Sequence, residues 1–185
     1  MNYHKKYLKY KSKYLKLKQL IGGNMDKTSF DRLRIKLNEK EVDNDQIWCF
    51  DIDHTIRTNE DIEFILEKLK DKNWGIVTAR WFPYSDKRLK EGSFFAFGKP
   101  SFSFTKMAKH KVSQISKLKE IYNPKKIYFF DNDKKNCFYV KEKFGNLASV
   151  YHIKKGEIKE KIIRIKNKEV IVKNALNIRD AIKDA

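Results

Sequence analysis

Asp51 and Asp53 stand one residue apart at the end of the apolar run Ile47-Trp48-Cys49-Phe50, with His54 and Thr55 following at once. A buried parallel strand delivers its last side chains to the crevice at its carboxyl end, where open α/β sheets bind ligands. One carboxylate placed there can attack a phosphoryl group. The other can act as general acid and then general base at the leaving oxygen. A capped turn after a strand would use the same residue types, and Asp-x-Asp-x-Thr by itself recurs by chance. His54 reads as a spacer, although its near-neutral titration leaves acid–base work open to it.

Three further segments follow in order. Trp74-Gly75-Ile76-Val77 is a second short apolar strand, and it ends in the hydroxyl of Thr78 with Arg80 just beyond. From Lys111, apolar residues at Val112, Ile115, Leu118 and Tyr122 recur with a helical period. After the break at Asn123-Pro124, Ile127-Tyr128-Phe129-Phe130 forms a third strand that runs into Asp131-Asn132-Asp133. The set resembles the four motifs of the haloacid dehalogenase superfamily of phosphohydrolases: Asp-x-Asp-x-Thr, a strand-end Thr or Ser, a Lys, and a strand-end acidic cluster. The resemblance covers roughly residues 45–155.

That resemblance implies roles for each position. Asp51 would be the nucleophile and a Mg²⁺ ligand, passing through an aspartyl-phosphate. Asp53 would handle the proton and reach the metal through its backbone carbonyl. Thr78 would bond a phosphoryl oxygen, Lys111 would neutralise charge on phosphate and Asp51, and Asp131 would complete the protein share of the metal shell. A dianionic phosphate approaches an aspartate only where Mg²⁺ and Lys screen the repulsion, and Mg²⁺ favours few carboxylates with waters and phosphate oxygens. Many relatives carry Asp-Asp where this chain reads Asp131-Asn132, so Asn132 or Asp133 is left as a metal or water-holding candidate. Lys106 and Lys109 stand near Lys111 as alternatives. Thr55, Arg80, Trp81 and Tyr84 are candidates for touching substrate.

The elements that must position these groups form a three-layer α/β/α, Rossmann-like domain with a mostly parallel sheet, because strands and helices alternate. Only 27 residues separate Asp51 from Thr78, and a helix over Asn59–Lys70 uses much of them. The 33 residues from Thr78 to Lys111 are again too few for a second domain, so no large cap is expected. By resemblance, capless members leave the crevice open to phosphoproteins or polynucleotide ends, and some take small molecules. The aromatic–basic insert at 81–105 reads either as a single-stranded nucleic-acid surface or as a β-hairpin. In the hairpin, Phe95 and Phe97, then Phe102 and Phe104, would bury one face around Gly98-Lys99-Pro100. Phe30 to Glu41 reads as a helix beside the sheet. Lys134–Phe144 reads as a helix ended by Gly145, and Leu147–Ile153 as a strand. From about 157 a C-terminal extension carries Ile162, Ile163 and Ile165, then Val170, Ile171 and Val172, as strands or a helix, before a helical 175–185.

Charge bounds the partners. The chain carries 42 basic and 24 acidic residues, a net +18 over 185 residues. The first 24 residues hold seven lysines and no acid, which leaves 35 basic against 24 acidic residues, a net +11, on the rest. A phosphorylated substrate is expected, and this field favours a nucleic acid or an acidic phosphoprotein without choosing between them. Tyr3, Tyr7, Tyr10 and Tyr14, continued by Leu17 and Ile21, mark residues 1–24 as a basic amphipathic leader set apart from a 25–185 catalytic domain. It lacks the apolar stretch of a secretory signal or membrane span. Its run to Gly22-Gly23 resembles leaders on proteins of large DNA viruses of the mimivirus group, which would place the chain in host cytoplasm or virion. With only Cys49 and Cys137, no disulfide framework is indicated, and a reducing intracellular compartment is expected. The expectation is a Mg²⁺-dependent phosphatase. A polynucleotide-end phosphatase and a catalytically weak binding module of the same fold remain as alternatives.

Overall fold

The alternation of apolar runs and amphipathic segments yields a mixed α/β fold built on one eight-stranded, mostly parallel sheet. The structure is a computed structural model and describes residues 34–38, 45–80, 87–98, 104–154 and 159–185. The 1–24 leader, Trp81 and Tyr84 therefore lie outside the described residues.

The strands are β1 (Arg34–Leu37), β2 (Gln46–Phe50), β3 (Asn73–Val77), β4 (Phe94–Phe97), β5 (Lys126–Asp131), β6 (Ala148–Ile153), β7 (Lys159–Ile165) and β8 (Lys168–Ala175). The helices are α1 (Asn59–Lys68), α2 (Phe104–Tyr122), α3 (Lys134–Phe144) and α4 (Ile178–Asp184). Across the sheet the order is β1-β4-β3-β2-β5-β6-β8-β7, antiparallel only at the outer pairs β1–β4 and β7–β8. The central strands β2 and β5 are buried along nearly their whole length, as their unbroken apolar runs require.

Side-chain alternation splits the core in two. Trp48, Phe50, Tyr128, Phe130 and Tyr151 face one side, where residues of α1 and α4 cover them. Ile47, Cys49, Ile127 and Phe129 face the other, under α2 and α3. On the first face the register sets Trp48 beside Tyr128 and Phe50 beside Phe130, giving ring stacks at 4.1 and 4.7 Å between centroids. Tyr151 extends the stack at 5.0 Å from Phe130. Such cross-strand aromatic pairs add roughly 0.5–1.5 kcal/mol each beyond the area they bury. On the α1 side, Thr58 and Asp61 close a capping box that starts the helix. Gly75 is required by proximity, since a Cβ there would lie 2.0 Å from the Phe94 carbonyl oxygen on β4.

Two expectations are overturned. The helix expected over Phe30 to Glu41 is, where described, the strand β1, paired antiparallel with β4 from Arg34↔Phe97 to Leu37↔Phe94. Ile35 and Leu37 pack on the core under α2 and α3, so a period of two prevails over helical propensity. The hairpin expected around Gly98-Lys99-Pro100 is not what its described arms form, and 99–103, with Phe102, lie outside the described residues. Phe104 opens α2, and β4 instead runs parallel to β3. Phe94 and Ala96 fill one core while Phe95 and Phe97 fill the other, so β4 is an interior strand covered on both faces. The segment left open between strands and helix is strands β7 and β8. Lys134–Phe144 and its Gly145 C-cap appear as expected.

Candidate functional site

Adjacent strands β2 and β5 send their following helices to opposite faces, α1 to one and α3 to the other. That makes their carboxyl ends the switch point of the sheet, where a crevice must open. Asp51 directly follows β2 and Asp131 ends β5. Both continue the alternation of residues that face α2, and α2 brings Lys111 to meet them. The Lys111 Nζ lies 2.7 Å from Asp51 Oδ1 and 2.6 Å from Asp131 Oδ2. All three side chains are buried, Lys111 to 3 % exposure and Asp131 to 0 %. Lys111 is thus the lysine that enters the site.

Two carboxylates around one ammonium leave a buried excess of one negative charge. Burial pushes the Asp51 carboxyl up to about 7, with Asp131 and Asp53 adding to the rise and Lys111 opposing it. Asp131 is raised too, by burial above all, against the pull of Lys111 and the bonds from Asp133 and Asn136. Burial works against the Lys111 charge, but Asp131 and Asp51 outweigh it and hold the ammonium above its ordinary range.

Asp131 is fixed by its own helix start. Its Oδ1 accepts from the Asp133 amide at 2.8 Å and its Oδ2 from Asn136 Nδ2 at 3.0 Å. Asp133 accepts from the Lys135 amide at 2.6 Å, the N-cap of α3. Asn132 donates its amide to Thr55 Oγ1 at 3.1 Å, and its carbonyl bonds His152 Nε2 at 3.0 Å. A carbonyl only accepts, so Nε2 carries the proton. Thr55, fully buried, ties the loop after β2 to the loop after β5 and so does not face an open crevice. His54 occupies the left-handed region at φ 57° and is exposed.

Asp53 points elsewhere than Asp51. Arg80 grips it with two bonds, Nε to Oδ2 at 2.7 Å and Nη2 to Oδ1, and both side chains are partly exposed. The bond to Asp53 holds the Arg80 guanidinium above its usual range. Thr78 is buried just past β3. Its hydroxyl accepts from the Arg80 amide at 3.3 Å and so keeps its own proton for another acceptor. Its carbonyl accepts from Gln114 Nε2 at 2.9 Å, one turn along α2 from Lys111. The structure thus brings Asp51, Lys111 and Asp131 into direct contact, and sets Thr78, Arg80 and Asp53 beside them as a second linked group.

For a cation, the carboxylates brought together are Asp51 and Asp131; the Asp53 carbonyl, which the resemblance adds, accepts from Thr55 Oγ1 at 3.4 Å. Asp51 Oδ1 and Asp131 Oδ2 both accept from Lys111, and the trio holds one more carboxylate than ammonium. That suits Mg²⁺, which takes one or two carboxylates and fills the remainder with water and phosphate oxygens. Among the described residues, no cluster of three or more His, Cys, Asp or Glu side chains is close enough to hold a metal alone.

Arg57 is a residue that motif reading missed. It follows the Asp-x-Asp-x-Thr run, donates to the His54 carbonyl at 2.8 Å and to the Ile153 carbonyl at 3.3 Å, and lines a groove beside the site. The basic residue two places after Thr55 was the only signal available. Both cysteines are buried and free. Among the described residues, no helix is long and apolar enough to cross a membrane. No family model, no curated protein and no solved structure matches the chain.

Proposed function

We propose that this chain is a Mg²⁺-dependent phosphohydrolase that acts through an aspartyl-phosphate on an accessible phosphomonoester, with the haloacid dehalogenase fold and no large cap. The observation that carries the reading is the single buried ammonium of Lys111 shared by the strand-end carboxylates Asp51 and Asp131. A site built only for stability gains little from such an arrangement, because two buried carboxylates cost more than one ammonium returns.

In this reading Asp51 attacks phosphorus and the ester bond to the leaving oxygen breaks. Asp53 gives that oxygen a proton, then takes one from the water that hydrolyses the acyl phosphate. Asp53 must loosen one of its two Arg80 bonds to hold a proton, so Arg80 sets both its direction and its readiness. The Thr78 hydroxyl donates to a phosphoryl oxygen, and Lys111 offsets charge on Asp51 and phosphate. Mg²⁺, held by Asp51, Asp131 and the Asp53 carbonyl, would supply screening of the phosphate charge.

The test is hydrolysis of an aryl phosphate by the full chain. Turnover should require Mg²⁺, stop with chelator, and vanish in Asp51→Asn. Turnover that survives both treatments would remove the proposal. The grip of Arg80 on Asp53 favours a second reading, a phosphate-binding module with weak catalysis. Calorimetric binding of inorganic phosphate without turnover would select it.

A further inference from the structure

A groove of about 740 Å³ opens at the loop that follows β5, where Asn132 and Asp133, the two residues after the buried Asp131, form part of its wall. Six cationic side chains line it: Arg57 from the loop after β2, Lys134 and Lys135 from the start of α3, Lys154 from the end of β6, and Lys161 and Arg164 from β7. Against them stands one lining carboxylate, Asp133, which is engaged in capping α3. Glu169 pairs with Arg164 from β8. His152, also at the wall, is held below its ordinary value by burial and by Lys161, so it adds no charge at neutral pH.

The distribution of these cations decides what they fit. A lone phosphomonoester is matched at Lys111 and Thr78, and it would leave lysines on α3, β6 and β7 unused. Charges drawn from four elements along one groove call for an anion that repeats along a chain. No Phe, Tyr or Trp is among the described residues that line the groove, so it offers no platform for stacking bases. What remains is contact with phosphates, which positions a strand without reading its sequence. An acidic peptide would need Asp or Glu at most positions to match it, whereas a nucleic acid supplies one phosphate per nucleotide whatever its sequence.

We propose that this groove seats the phosphodiester backbone of a nucleic-acid strand, with the strand's terminal phosphate entering the Asp51–Lys111–Asp131 site. The placement of the terminus rests on the phosphohydrolase reading, while the binding of the backbone does not.

The test measures fluorescence anisotropy of a labelled single-stranded oligonucleotide of about a dozen nucleotides with a terminal phosphate, using the full chain in chelator. Lys154→Gln with Lys161→Gln is compared with Lys70→Gln with Lys119→Gln. The second pair is exposed and off the groove, and it removes the same charge. The groove pair should weaken binding about tenfold or more and lower the log–log salt slope by about 1.4, at ~0.7 per lost phosphate contact between about 50 and 200 mM salt. The control pair should stay within about twofold of the parent, as expected where only the general field is altered. Equal losses in both pairs would overturn the proposal, as would absence of binding at low salt. Displacement of the oligonucleotide by an acidic phosphopeptide of equal charge at equal or lower concentration would assign the groove to protein instead. Groove-dependent binding without aryl phosphatase turnover would sink the enzymatic reading alone. Turnover without groove-dependent binding would sink this one alone.

Discussion

Replacing Lys111 by Met should expose how the site is balanced. The substitution keeps most of the side-chain length and removes the ammonium that lies 2.7 Å from Asp51 and 2.6 Å from Asp131. Removing one partner from a buried ion pair costs about 3–5 kcal/mol, and here two carboxylates lose the same partner, so the upper end is expected at neutral pH without metal. The loss must depend on pH. In the folded parent, burial raises Asp51 from 3.8 to about 7, so the folded state holds that proton more tightly than the unfolded chain. Its contribution is fully present below about pH 4, fades as pH rises to about 7, and spans at most about 4 kcal/mol.

Without Lys111 both carboxyls should rise further, so the variant should lose stability more steeply across the same window. Urea unfolding in chelator at about pH 5 and about pH 8 checks this directly. Lys111→Met should be near the parent at the lower pH and fall well below it at the higher, with Mg²⁺ restoring part of the difference. A loss under about 1 kcal/mol at the higher pH, or an equal loss at both, would refute the shared-ammonium argument. The triple variant Asp51→Asn, Asp131→Asn, Lys111→Met supplies the control. With no buried charge left, it should recover most of the stability and show no such pH dependence.

Arg80→Ala should cost less than about 1 kcal/mol in unfolding experiments, because both partners of its bridge to Asp53 are partly exposed. It should nonetheless lower aryl phosphate turnover severalfold or more, since the carboxylate that the two bonds from Arg80 hold in one direction is freed. Thr55→Val should cost about 1–3 kcal/mol by leaving the Asn132 amide without its acceptor, measured by urea unfolding against Thr55→Ser, which keeps the bond. Asp133→Ala removes the N-cap of α3 and should cost about 1 kcal/mol, with Mg²⁺-dependent turnover retained. Loss of that metal dependence at unchanged fold would make Asp133 a ligand after all.

The contrast between what motif reading found and what it missed follows from locality. Asp51, Thr78 and Asp131 were legible because each closes an apolar run, and in a parallel sheet every strand's carboxyl end lies on the same edge. Lys111 was legible as helical but not as buried, since nothing in a lysine-rich stretch tells which ammonium the helix turns inward. Strand β1 was hidden because four residues of alternating pattern carry little signal, and its partner β4 lies far along the chain. The aromatic run 94–97 looked one-faced only because its second covering layer comes from elsewhere: one face belongs to the cluster under α2 and α3, the other to the cluster that holds Leu89. The groove was the least legible feature of all. Its cations come from the loop after β2, α3, β6 and β7, and no spacing rule links them. Yet the same topology bears on both sites: α1 and α3 leave the sheet on opposite faces, the ends of β2 and β5 hold Asp51 and Asp131, and the loops beyond β5 and β6 line the groove from Asn132 onward. Chemistry at strand ends is therefore readable from motifs, while the surface that would select a substrate is readable only once the sheet order is known.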